Sequence, residues 1–139
     1  MAETWRPVRF SGISPLRSGT SLIDVTLDEL GDVDLRNDAS VTAIRFLPGK
    51  QHMSIFFDFR HDSIPVMITL EFCAVELDKI GYYLPTGVEP TYGNALLSSL
   101  LYWKNQDSGR EGFTVDTTAL EVEFYTEELR AQVWRAWQG

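Results

Sequence analysis

A chain of 139 residues with 44% hydrophobic and 12% aromatic side chains can bury the core of one domain and is too apolar for a disordered segment. A net charge of −8 and a pI near 4.6 argue against direct nucleic-acid binding, which needs a basic surface to neutralise phosphates, and leave room for a basic protein partner. No apolar run reaches a membrane span and no apolar signal segment opens the sequence. Cys73, the single cysteine, allows no intramolecular disulfide, so a cytoplasmic protein is expected.

Residues 1–139 read as a single domain whose first 20 residues, broken by Pro7, Gly12, Pro15 and Gly19, form a loosely structured arm with a short strand near Val8–Phe10. Residues 21–30 suit either a strand and turn or a short helix capped by Ser21. The segment from Asp24 to Asp38 is acidic: Asp24, Asp28, Glu29, Asp32, Asp34 and Asp38 face only Arg36. From Ser40 the pattern sharpens. A strand over 40–47 ends at Pro48-Gly49-Lys50, a turn signal. In 53–59, Met53, Ile55, Phe57 and Phe59 alternate with polar or outward positions; in 65–72, Val66, Ile68, Leu70 and Phe72 do the same. Two such runs around a short polar segment predict a β-hairpin, and with 40–47 a three-stranded antiparallel meander.

Residues 73–94 read as a long irregular loop carrying Tyr82, Tyr83 and Tyr92. Residues 95–103 fit helix or strand and lean to strand; 113–125 alternate through Leu120, Val122 and Phe124. The last element is predicted as a helix from about 127 to 137. Thr126 would be its N-cap, Glu127 and Glu128 would complement its dipole, and Leu129, Val133, Trp134 and Trp137 would form its apolar stripe. Trp134 or Trp137 is expected to pack under the sheet edge. The fold class is therefore α+β: an antiparallel β-sheet of five or more strands, a meander, with a C-terminal α-helix packed on it.

The sequence offers no catalytic set. Arg60-His61-Asp62-Ser63 has capable side chains, but they are ordinary turn residues between two strands. His52, the other histidine, sits at the far end of the 53–59 strand, roughly 30 Å away at about 3.3 Å per residue. The Asp32–Asp38 run begins like a calcium loop but fails with Arg36, Asn37 and Ala43 at three of its key positions. Cys73 lies at an apolar strand end and reads as a small buried residue. No metal, cofactor or catalytic residue is expected. What remains is surface. The acidic 24–38 segment, with Asp28, Asp32 and Asp34, and the loop tyrosines Tyr82, Tyr83 and Tyr92 together suit contact with a basic protein. A solvated acidic face with rings that merely cover the sheet is the plainer alternative.

Asp38-Ala39-Ser40-Val41, the alternating Met53–Phe59 and the apolar run Leu70–Leu77 resemble small predicted immunity proteins of bacterial toxin systems, over residues 38–81; Asn37 stands where that family has a histidine. The resemblance implies a non-enzymatic protein that inhibits a toxin by binding it. A phage-encoded inhibitor of a host defence complex, and a small enzyme or ligand carrier with a pocket between sheet and helix, stand as alternatives.

Overall fold

The computed structural model describes residues 8–17, 19, 21, 24–47, 49–82, 97–117 and 120–135. These residues build eleven strands and, among them, no helix. The strands are β1 (Arg9–Ser11), β2 (Asp24–Leu27), β3 (Gly31–Asp34), β4 (Ala39–Leu47), β5 (His52–His61) and β6 (Ile64–Cys73). They continue with β7 (Glu76–Tyr82), β8 (Leu97–Lys104), β9 (Glu111–Thr117), β10 (Leu120–Tyr125) and β11 (Glu128–Arg135). One sheet runs β1-β11-β6-β5-β4, a second β7-β10-β9-β8, and β2-β3 forms a separate hairpin. All pairings are antiparallel except β1 with β11.

The expected hairpin is present as β5–β6. Asp62 and Ser63 both take the left-handed backbone (φ 52° and 66°), the geometry of a two-residue turn that matches the twist of the strands it joins. The alternation then sends Met53, Ile55 and Phe57 of β5, and Ile68, Leu70 and Phe72 of β6, to one buried face. That face meets the inner side of the four-stranded sheet through aromatic rings. Phe72 lies 5.0 Å from Phe113 and 4.8 Å from Phe124, and Phe10 of β1 lies 5.6 Å from Tyr102 of β8. Val25, Leu27, Val33 and Leu35 of the β2–β3 region belong to the same core.

The C-terminal helix is a correction. Residues 128–135 are strand, paired along their length with β6 from Glu128–Cys73 to Arg135–Val66. The apolar residues satisfy two periods at once. Leu129, Val133 and Trp134 read as a helical stripe, but Leu129, Ala131 and Val133 also alternate at period two, and these three turn toward the core. The apolar face of β6 had an unfilled neighbouring position, and tertiary pairing overrode the local helical pattern. Thr126 caps no helix. It lies where the chain leaves β10 and enters β11, beside the point where it leaves β6 for β7. Its hydroxyl donates to the Cys73 carbonyl at 2.5 Å, and the Glu127 amide donates to the same oxygen at 3.1 Å. Both crossings between sheets are thus stapled at one corner. With no helix among the described residues, a pocket between sheet and helix does not exist there.

The remaining ambiguities resolve as strand. Residues 24–27 and 97–104 are β2 and β8, and the early part of 73–94 is β7. Within the expected arm, β1 adds to β11, and Val8 and Ile13 are buried.

Candidate functional site

The outer face of the five-stranded sheet carries the chemistry that the inner face excludes. Register sets its rows. His52 lies one step beyond the Met53–Phe72 pair, opposite Cys73, and Cys73 pairs with Glu128, which pairs with Arg9. The next row is Arg45, Ser54, Glu71, Arg130 and Ser11. Glu128 accepts from Arg130 at 3.1 Å and faces Arg9 at 3.8 Å. The Arg130 hydrogen bond, reinforced by the charges of Arg130 and Arg9, holds the Glu128 carboxyl below the usual range. The opposite end of this face is apolar: Phe56, Met67 and Trp134. The Trp134 indole donates to the Thr69 hydroxyl at 3.1 Å and covers it, yet remains 53% exposed.

Trp134 stands beside an open strand edge. β1 accompanies β11 only from Glu128 to Arg130. At Gly12 the chain turns with φ +74°, a conformation that favours glycine, and a Cβ there would run into the Ala131 carbonyl oxygen. Gly12 then joins the β2 region: its carbonyl accepts from the Asp28 amide at 3.0 Å, and Ile13 bridges Leu27. From Ala131 onward, β11 has no second strand partner among the described residues. The space left is a groove of about 450 Å³, lined by Gly12, Asp28, Glu29, Ala131, Val133 and Trp134. A smaller hollow of about 290 Å³ is also lined by Trp134, with Asp58, Met67 and Arg135.

The sequence-predicted residues divide. Asp28 occupies the β2–β3 turn and reaches the groove. Asp32 and Asp34 lie on the outward side of that hairpin, apart from the groove's lining. Asp32 accepts from Thr26 at 2.6 Å. Asp34 accepts from the Asn37 amide at 2.9 Å, the Asn37 side chain at 2.8 Å and the Arg36 amide at 3.0 Å. These bonds, the Asn37 amide foremost, lower its pKa and close the 34–38 turn, so its carboxylate already serves the fold. The backbone of Tyr82 ends β7 opposite Leu120. Tyr83 and Tyr92 lie outside the described residues. His61 and Asp62 fall at the hairpin turn as expected, Asp62 exposed and His61 half-buried beside Phe59.

Two residues were misplaced by the sequence reading. Trp134, assigned to a packed helix, is the exposed ring of the groove; Trp137 lies outside the described residues. Cys73, assigned to the core, is half-buried on the outer face with its thiol toward Glu71. Burial nevertheless pushes that thiol's pKa up, the nearby Arg130 opposing it. The signal was available for Cys73: a two-residue turn at 62–63 pairs 52 with 73 and puts both on the face opposite Phe72. Comparison with known protein families, with curated proteins and with solved structures gives no match, so the site's own geometry carries the functional reading.

Proposed function

We propose that this protein acts without chemistry of its own, by binding a basic protein and laying an extended segment of it along the open edge of β11. One juxtaposition carries the reading: a strand edge unpaired among the described residues, an exposed tryptophan and two carboxylates share a groove of about 450 Å³. A strand edge supplies main-chain hydrogen bonds to any extended peptide, and the flanking side chains supply selectivity. Trp134 provides the large ring that interfaces use as an anchor. Asp28 and Glu29, within a chain of net charge −8, select for lysine and arginine and speed encounter. Compared with the sequence expectation, the acidic side of the surface is kept at Asp28 and the aromatic anchor moves to Trp134. The resemblance over residues 38–81 makes a toxin, held in a stoichiometric inhibitory complex, the specific form of this proposal.

The test is capture from the native host with wild-type protein, Trp134→Ala and Asp28→Lys/Glu29→Lys, with the bound proteins identified by mass spectrometry. A basic protein retained by the wild type and lost from both variants is expected. Identical capture by all three proteins would contradict the reading.

A further inference from the structure

His52, Glu71 and Cys73 take no part in the groove. Their placement is fixed by backbone register: His52 and Cys73 face each other across β5 and β6, and Glu71 precedes Cys73 by two residues on the same side. His52 Nδ1 lies 3.6 Å from Glu71 Oε1, and Cys73 Sγ lies 3.9 Å from that same oxygen. All three ligand atoms fall within 4.8 Å of one another. In a tetrahedral site with metal–ligand bonds of about 2.0–2.3 Å, the ligand atoms stand roughly 3.3–3.8 Å apart. The cluster is therefore within side-chain adjustment of a coordination shell, with no backbone movement.

We infer that His52, Glu71 and Cys73 form a binding site for a borderline-soft divalent cation, zinc foremost, with a solvent molecule at the fourth vertex. The donor types select the class. An imidazole nitrogen, a carboxylate oxygen and a thiolate sulfur are a mixed set suited to zinc and unsuited to magnesium or calcium, which take oxygen ligands. The neighbouring cations Arg130 and Arg9 both act on Cys73, and both are paired with Glu128, at 3.1 Å and 3.8 Å. Binding exchanges one metal ion for the thiol proton, which leaves to solvent, while His52 binds as the neutral imidazole. His52 and Glu71 are half-buried and admit the ion and the fourth, solvent ligand beside the more covered Cys73.

The site is tested by titrating metal-free, untagged protein with Co²⁺. The expected result is saturation at one equivalent, with a thiolate-to-cobalt charge-transfer band that Zn²⁺ abolishes by displacement and a rise in melting temperature on Zn²⁺ addition. Cys73→Ser should lose the band, and His52→Ala should weaken binding by tenfold or more. Both side chains are outward, so the metal-free variants should melt near the wild type. Should Cys73→Ser fail to fold, His52→Gln and Glu71→Gln read the same loss of affinity. Absence of the charge-transfer band in the wild type, or equal affinity in the His52 and Glu71 variants, overturns the site.

Discussion

The two faces of the five-stranded sheet are built from the same strands and obey opposite rules. On the inner face, Ile55, Phe57, Ile68, Leu70, Phe72 and Leu129 are each fully buried. On the outer face, the alternate residues of those strands include His52, Glu71, Cys73, Glu128, Arg130 and an exposed Trp134. Because side chains alternate at every residue, a strand can spend one set wholly on packing and leave the other free for recognition. The inner set should govern stability and the outer set should govern what the protein touches.

That division can be broken first at Phe72, whose ring bridges the two sheets between Phe113 and Phe124. Phe72→Ala should cost about 3–5 kcal/mol in urea unfolding. A loss under about 1 kcal/mol would mean that the sheets do not pack through this face.

Tyr102 sharpens the rule with a polar group inside the core. Its hydroxyl donates to Glu111, which also accepts from the Val8 amide at 3.2 Å. Tyr102→Phe should cost about 1.5–3 kcal/mol, the range for a hydrogen bond to a charged group. Burial, and then Glu111, raise the phenol's pKa. The neutral phenol therefore contributes stability that is full below its ordinary pKa of about 10 and is lost as pH rises beyond it. Thermal unfolding across pH 9–11 should show this alkaline limb in the wild type and a shallower one in the Phe variant.

On the outer face the expected stability effects shrink. Trp134→Ala removes one hydrogen bond to Thr69 and an exposed ring, and should cost about 1 kcal/mol or less while abolishing partner capture. A large stability loss would instead place Trp134 with the core. The smallest effect belongs to Asp34, whose lowered pKa means that its contribution is present above its ordinary value and lost as pH falls through the folded one. Asp34→Asn should lower the melting temperature slightly at pH 7 and flatten the decline below pH 4.

The hairpin was legible in the sequence and β11 was not. In β5 and β6 strict alternation, a turn of Asp62 and Ser63, and β-rich composition all agree. In 126–137 local signals agreed on a helix, and only the partner strand, more than fifty residues away in Cys73–Val66, decided otherwise. The site followed the same line. Asp28 could be read as acidic surface, but its meeting with Trp134 depends on the turn at Gly12 and on β11 being a strand. The His52–Cys73 pairing is hidden for a different reason: the apolar neighbours of Cys73 suggest the core, while its parity along the strand puts it outward.

The groove, and the partner proposed for it, depend on residues 128–135 being a strand beside β6. NMR measurement of Cα secondary shifts across these residues, with cross-strand Hα–Hα contacts to 66–73, tests this most directly. Negative shifts throughout and contacts between β11 and β6 are predicted; positive shifts with sequential i to i+3 contacts would restore the helix and remove the groove.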